Sequence, residues 1–221
     1  MNKNEGTLRN HLKRNIHILF ALYLPVYLAG FFYLEKTITT EFHALNSPID
    51  NIIPFVNIFI IPYYLWFLYV AAACIYFFFV SQREFVKMVS FLIIGMTIYL
   101  IICYLYPNGL KDFRPTVLTD SGLDKLVIAL YGTDTSTNVF PSIHVYNSIG
   151  VNIAVSRHKS FKHPVVKAAS LILCVLICLS TMFLKQHSVI DVLGGLVMGA
   201  FIYELVYKTK LSTFIDKWTW E

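Results

Sequence analysis

Charged residues are scarce in this sequence. Asp, Glu, Lys and Arg make up 14% of the 221 residues, whereas 57% are hydrophobic and the mean hydropathy is +0.61. Soluble globular proteins carry about 25% charged residues, so a water-facing surface of ordinary composition would lack charge here. The shortage argues against a soluble protein and indicates that lipid surrounds much of the chain.

Patterns that bind metals or nucleic acids are also missing. The four cysteines, Cys74, Cys103, Cys174 and Cys178, all fall within apolar runs, and no His or Cys elsewhere completes a zinc ligand set. They are better interpreted as small packing residues than as a disulfide or a metal site. The net charge of +5 is spread over short segments without an RNA-stacking motif, so nucleic acid is not expected as a partner.

What the sequence does contain is a series of apolar runs, several of which reach the length of about 20 residues that a helix needs to cross a bilayer. They predict an all-α, polytopic membrane protein with six transmembrane helices, in a single integral membrane domain covering residues 1–221. The predicted spans are 16–34, 56–80, 88–106, 142–155, 165–184 and 188–207. The fourth is short and comparatively polar, which favours a position inside the helix bundle.

The distribution of basic residues predicts the orientation. Of the 18 lysines and arginines, 13 lie in the segments 1–15, 81–87, 157–167 and 208–221. Cytoplasmic loops of membrane proteins are enriched in these residues. We therefore expect a protein of the plasma (cytoplasmic) membrane with both termini in the cytoplasm.

The loop 108–141 is unusually long, which favours a functional role. Within it, Ser121 and Asp124 have the spacing of a helix-capping pair. Apolar residues then recur on one helical face: Leu123, Leu126, Val127, Leu130 and Tyr131. This pattern predicts a short amphipathic helix on the outer membrane surface.

Ionisable residues next to membrane spans indicate function, because their burial is unfavourable unless they are paired. His187 precedes Asp191 by four residues, which on a helix puts both on one face. The carboxylate would accept a hydrogen bond from one imidazole nitrogen and leave the lone pair of the other free for nucleophilic or general-base catalysis. Taken alone, the pair is equally typical of a structural ion pair.

Two further groups of polar residues fall at the same predicted membrane edge. Ser142 and His144 open the fourth span, where the hydroxyl and the free amides of a helix N-terminus favour an anion such as phosphate. Arg114 and Lys111 lie in the outer loop, where they would be solvated or bind phosphate oxygens. Because the topology brings these groups to one level on the outer face, they predict phosphoryl transfer through a phosphohistidine.

In this order, Arg114-Pro115, the segment from Pro141 to His144, and the segment from Ser180 through His187 to Asp191 resemble the three motifs of the type 2 phosphatidic acid phosphatase superfamily. The resemblance implies that His187 is the nucleophile, that Asp191 orients it, and that His144 protonates the leaving group. It also implies that Arg114 and Ser142 hold the phosphate and that neither a metal nor a cofactor takes part.

Three positions depart from the family pattern. Pro107 stands where the first motif has Lys, Ile143 replaces a Gly, and Thr181 replaces an Arg. Lys111 and Lys185 are the candidates for the missing positive charge. The departures also resemble the branch of inositol phosphorylceramide and sphingomyelin synthases, which move a phospho-head group to an acceptor hydroxyl.

Three functions follow from these observations. The first is a lipid phosphatase that hydrolyses a lipid phosphate or diphosphate, and the second is a phosphotransferase in which an alcohol replaces water. The third is a proton-coupled transporter with His187, Asp191 and Glu204 as a relay. The polar residues cluster at one membrane edge rather than at mid-depth, which favours an enzyme over a transporter.

Overall fold

The computed structural model describes residues 22–116, 118–119, 121–161 and 163–219. In these residues the chain is mostly helical. The helices are α1 Tyr23–Thr37, α2 Ile60–Val80, α3 Gln82–Leu105, α4 Gly122–Thr133, α5 Ile143–Arg157, α6 Pro164–Phe183, α7 Val189–Lys208 and α8 Lys210–Trp218. Two short parallel strands, β1 His43–Ala44 and β2 Asn108–Gly109, and two 3-10 turns, Pro48–Asn51 and Asn57–Phe59, connect them. Residues 16–21 of the first predicted span lie outside the described residues.

Four of the helices are long and apolar enough to cross a membrane. They are Asn57–Val80, which is α2 with the turn before it, Gln82–Leu105, Pro164–Phe183 and Val189–Lys208. Three of them agree with a predicted span to within one residue at each end, and Gln82–Leu105 begins six residues earlier than predicted. A polytopic helical membrane protein is therefore the architecture that the structure supports.

Helix α5 is the centre of the bundle. It has 15 residues, which extend about 22 Å and so fall short of a bilayer core of about 30 Å. It packs against α2, α3, α6 and α7, and most of its side chains are buried. The prediction that this segment lies inside the bundle is confirmed, and the surrounding helices explain how a short, polar helix is tolerated.

Helix α3 begins six residues before the predicted third span. The Ser81 hydroxyl caps it by accepting a hydrogen bond from the Glu84 amide. Lys87 is nearly buried, and its ammonium lies 2.6 Å from the carboxylate of Asp216 in α8. Residues 82–87 of the expected loop 81–87 are instead helical, because Asp216, distant in sequence, neutralises charges that interrupt the apolar run.

A close approach between α5 and α7 positions the site. A methyl group added at Gly195 of α7 would lie 2.8 Å from the carbonyl oxygen of Ser142, so no larger residue fits there without a shift. The Ser142 amide donates a hydrogen bond of 3.0 Å to the Asp191 carbonyl oxygen. The first turns of the two helices are therefore fixed side by side.

The helix predicted in the loop 108–141 is present as α4. The Ser121 hydroxyl accepts a hydrogen bond from the Asp124 amide, as the capping spacing predicts. Val127 and Leu130 are buried in a cluster with Tyr63 of α2. Helix α4 thus covers the end of α2 beside the connection between α6 and α7.

Candidate active site

His187 lies in the short connection between α6 and α7, two residues before α7 begins. Its Nδ1 is 3.4 Å from Oδ2 of Asp191, which is fully buried. The same oxygen accepts a hydrogen bond of 2.8 Å from the Ser188 amide, so Asp191 is part of the cap of α7. The two residues lie close together, as expected, but the expected hydrogen bond is not formed, because Nδ1 of His187 has no hydrogen-bond partner among the described residues. Their proximity arises from the capping geometry rather than from a shared helical face.

The backbone of this connection is anchored to the end of α6. The amides of Gln186 and His187 both donate to the carbonyl oxygen of Thr181, at 2.9 and 3.0 Å. The Thr181 hydroxyl donates to the Cys178 carbonyl, and the residue is fully buried. Thr181, at the position where the family motif has an arginine, therefore fixes the backbone of His187.

His144 projects from the first turn of α5 toward His187. The two ring centroids are 5.6 Å apart with an interplanar angle of 59°. On its other sides the imidazole packs against the rings of Tyr63 and Trp66, with distances of 4.6 and 4.4 Å between ring centroids. The structure thus brings together two histidines that are 43 residues apart in sequence.

A cavity of about 290 Å³ opens beside the two histidines. Its walls are mainly apolar. About half of the lining residues come from α1 and α2, including Tyr27, Phe31 and Trp66, and the others come from α3, α4, α5 and the connections. Phe32 and Phe67 also line it and are each 53% exposed, so it opens on the outside of the bundle. Such a cavity accommodates a hydrocarbon chain whose polar end reaches the histidines.

Arg114 is held close to the connection that contains His187 by three acceptors. Its guanidinium donates to the carbonyl oxygens of Tyr131 and Asp134 and to Oε1 of Gln186, the residue before His187. The group also lies 4.2 Å from the centre of the Tyr131 ring. Burial lowers the pKa of Arg114, yet an arginine stays charged at neutral pH. A fixed positive charge is therefore bonded to Gln186, the residue before His187.

Three residues that sequence reasoning missed surround this group. Gln186 is nearly buried, and its side-chain oxygen must face Arg114 because a guanidinium has no acceptor. The Tyr63 hydroxyl donates a hydrogen bond of 2.5 Å to Oδ2 of Asp134, which lines the cavity. The sequence shows only that these polar residues lie near the ends of predicted spans. Their spacing does not indicate that residues of α2, the end of α4 and the α6–α7 connection contact one another.

The remaining predicted phosphate ligands have different surroundings. The buried Ser142 hydroxyl accepts from the Val145 amide at 3.4 Å, which uses a lone pair and leaves its proton free to donate. The Lys185 ammonium instead donates to the carbonyl oxygens of Asp50 and Ile53, at 2.7 and 2.6 Å. Burial lowers the pKa of Lys185. Lys111 is exposed, and its backbone bonds to the Asn46 side chain.

Buried polar atoms without a protein partner lie at this site. Among the described residues they include Nε of Arg114 and Nδ1 of His144. Most buried polar groups in folded proteins are hydrogen-bonded, so the unpartnered nitrogen of His144, which lines the cavity, indicates a place where a polar ligand binds. Arg114 is not among the residues that line the cavity. A nitrogen donor on an arginine suits an anion.

Glu204 lies apart from this cluster, near the other end of α7. Its carboxylate is 2.7 Å from the Lys208 ammonium, and both side chains are more than half exposed. It is therefore the paired carboxylate of a helix end. The third residue of the transporter relay has a structural explanation.

Comparison with known proteins gives one family and two relatives. A family model described as the PAP2 superfamily matches residues 84–213. Human sphingosine-1-phosphate phosphatase 2 is 32% identical over 111 residues, which cover 48% of this chain and 26% of that protein. The mouse protein of the same name is 28% identical over 102 residues, which cover 44% and 27%. The match thus spans about a quarter of these relatives, and no solved structure matches.

Proposed function

Because the chain belongs to the PAP2 superfamily, the type 2 phosphatidic acid phosphatases, we propose that it is a membrane phosphatase that hydrolyses a lipid phosphate or diphosphate through a phosphohistidine. The observation that carries the proposal is the pair His187 and His144 beside one apolar cavity, with the Asp191 carboxylate behind His187. The arrangement supports a nucleophile on one side of phosphorus and a proton donor on the other.

In the first step His187 attacks phosphorus. The Asp191 carboxylate faces Nδ1 and favours a proton there, which leaves the Nε2 lone pair to form the nitrogen–phosphorus bond. The bond between phosphorus and the lipid oxygen breaks, and its electron pair leaves with that oxygen. Protonated His144 supplies a proton to that oxygen, so a lipid phosphate leaves as an alcohol and a lipid diphosphate leaves as the lipid monophosphate.

In the second step water replaces the histidine. His144, now neutral, takes a proton from the water while its oxygen bonds to phosphorus. The nitrogen–phosphorus bond breaks and its electrons return to His187. Inorganic phosphate leaves, and both histidines regain their starting protonation states without a metal or cofactor in either step.

We assign Arg114 and Ser142 as the phosphate ligands, which requires the phosphate to reach beyond the residues that line the cavity. Arg114 presents a buried positive charge with a free Nε donor, and the Ser142 hydroxyl has a free proton at the N-terminus of α5. Lys185 is engaged with backbone carbonyls, so we assign it to the support of the site. The exposed Lys111 suits the attraction of an anionic head group as the lipid approaches.

We further propose six spans with the site at the outer face. Helices α1 and α5 would be the two spans in addition to the four long helices, and both termini would be cytoplasmic. The concentration of basic residues in 1–15, 81–87, 157–167 and 208–221 supports this orientation for a protein of the plasma membrane. In that orientation α4 lies on the outer membrane surface.

The cavity supports a lipid as the substrate. Its aromatic walls lie between α1 and α2, and it reaches both the histidines and the exposed surface of the bundle. Sphingosine-1-phosphate, which the relatives' names specify, is one candidate for the occupant. Phosphatidic acid, phosphatidylglycerol phosphate and a polyprenyl diphosphate are the others to be compared with it.

A substrate panel tests the function. The purified protein is incubated with these four lipids in EDTA, with and without glycerol, inositol or a ceramide as acceptor. Release of free phosphate from a lipid supports hydrolysis. Formation of a new phospholipid only when an acceptor is present identifies a phosphotransferase, and the absence of both products from all four lipids contradicts the proposal.

A further inference from the structure

A second buried carboxylate stands behind the candidate active site. Asp50 belongs to the turn Pro48–Asn51 between α1 and α2, and it is 2% exposed. Its Oδ2 accepts a hydrogen bond of 2.7 Å from the Ser188 hydroxyl, and its Oδ1 accepts one of 2.9 Å from the Val189 amide. It therefore binds the residues that directly follow His187.

Ser188 connects Asp50 to the catalytic pair. The Ser188 amide donates to Oδ2 of Asp191, the same oxygen that lies 3.4 Å from Nδ1 of His187. Because a hydroxyl has one proton, the bond to Asp50 fixes its direction and leaves a lone pair that accepts from the Ile190 amide. Ser188 thus joins the two carboxylates, since its hydroxyl donates to Asp50 and its amide donates to Asp191.

The Asp50 turn is itself firmly held. The Ser47 amide donates to Oδ2 of Asp50 at 2.7 Å, which completes a capping box. The Lys185 ammonium donates to the Asp50 carbonyl oxygen from the other end of the His187 connection. The turn is therefore hydrogen-bonded to the connection on both sides of His187. The Asp50 carboxylate lies near the Lys185 ammonium and the positive N-terminal end of α7.

Capping of α7 alone does not account for this arrangement. Ser188 already caps the helix by accepting from the Ile190 amide, and Asp191 completes the capping box. Asp50 has two further effects: it orients the Ser188 hydroxyl, and it fixes the distance between the α1–α2 loop and the α6–α7 connection. Both bear on where His187 points.

We propose that Asp50 is a positioning residue, which acts through Ser188 to hold the Asp191 carboxylate and the His187 imidazole in the orientation needed for attack on phosphorus. The inference rests on the proposed phosphatase function. Asp50 itself touches neither the substrate nor the reacting atoms. Its loss should therefore lower kcat much more than it raises KM.

The test measures kcat and KM for Asp50→Asn, Ser188→Ala and the double variant, on the lipid phosphate that the wild type hydrolyses. We expect each single variant to lose kcat on the order of 10- to 100-fold, since small misplacements of reacting groups have effects of this size. The double variant should lose little more than the worse single variant, because both changes act on the same hydrogen bond between Asp50 and Ser188.

Asp124→Asn is the matched control. Asp124 is also a buried carboxylate in a helix-capping position, with partners in Thr119 and Asn57, but its helix is α4. Its substitution should lower the unfolding temperature by a similar amount while kcat stays near the wild-type value. A purely structural role for Asp50 would make the two variants alike.

Two results would overturn the inference: wild-type kcat in Asp50→Asn, or losses that add up in the double variant. If Asp50→Asn does not fold, Ser188→Ala is compared with Ser121→Ala, because each removes the hydroxyl that caps a helix but only the first also breaks a bond to Asp50. Normal kcat in Ser188→Ala, or an equal loss in the two variants, rejects the role. A wild type inactive on every lipid would instead contradict the proposed function.

Discussion

At the residue scale, the nucleophile assignment depends on the surroundings of His187 rather than on its spacing from Asp191. A pair four residues apart is common in helices and by itself indicates no chemistry. Here His187 precedes the helix, and Asp191 reaches back to it while capping α7. The presence of His144 at 5.6 Å between ring centroids is what distinguishes the pair from a structural one.

We expect His187→Ala to abolish turnover of lipid phosphates while the protein still folds and inserts. The loss should be on the order of 10⁴-fold or more, because the variant has no nitrogen to form the phosphoryl intermediate. Rates are measured in detergent, and folding is checked by size-exclusion profile and thermal unfolding. His163→Ala, an exposed histidine before α6, is the control and should keep wild-type turnover. Near-normal turnover in His187→Ala would reject the assignment.

Arg114→Lys should raise KM by about 10-fold and leave kcat less affected. A lysine has one point charge and cannot replace a planar guanidinium that bonds Tyr131, Asp134 and Gln186 at once. Steady-state kinetics on a lipid phosphate measure the effect. Arg157→Lys at the far end of α5 serves as the control. Equal KM values in the two variants would mean that Arg114 does not hold the phosphate.

At the element scale, the contact between α5 and α7 determines whether His144 and Asp191 meet. Gly195 permits the approach, since the Ser142 carbonyl and the Val145 side chain occupy the space that a larger residue needs. Gly199, one turn later, has only an ordinary contact with Ile149, 3.5 Å from the position of an added methyl group. The two glycines lie one helical turn apart on the same helix, but only Gly195 is in close contact with a neighbouring backbone.

This difference predicts opposite results for two identical substitutions. Gly195→Ala must displace backbone in the first turn of α5, so we expect a destabilisation of about 1–3 kcal/mol and a fall in kcat. Gly199→Ala meets no close neighbour and adds helix propensity, so stability should be unchanged or higher by up to about 1 kcal/mol. Thermal unfolding and kcat of both variants are compared. Equal behaviour of the pair would show that α5 and α7 are not locked at Gly195.

At the scale of the whole molecule, the site lies where several chain segments meet at one end of the bundle. The α1–α2 loop, the α4 region, the start of α5 and the α6–α7 connection all contribute contacts. If six spans are present, these segments share the outer face. The connection between α5 and α6 then lies in the cytoplasm.

Cysteine labelling tests this orientation. Thr116→Cys in the loop before α4 should react with a membrane-impermeant maleimide on intact cells, whereas Ser160→Cys between α5 and α6 should react only after permeabilisation. Both positions are exposed. The wild type provides the background from the four native cysteines, which lie in helices. Labelling of position 160 in intact cells would reverse the proposed topology.

Much of the architecture was predictable because its signals are local. Apolar runs indicated the four long helices, the spacing of Ser121 and Asp124 indicated α4, and the motifs indicated His144 and His187. The start of α3 was missed because Lys87 is neutralised by Asp216, which lies 129 residues later in the sequence. Hydropathy averages neighbours in sequence and contains no information about such partners.

The sequence by itself determined that lipid surrounds this protein, where its main helices lie and which residue types are available for the proposed phosphoryl transfer. Only the tertiary structure decided which of them meet: Arg114 with Gln186, Lys185 with the carbonyls of Asp50 and Ile53, and Asp50 with Ser188, 138 residues away. Composition and residue spacing describe the chain over a few neighbouring residues. The direction of a side chain, in contrast, depends on packing between segments that are far apart in the chain.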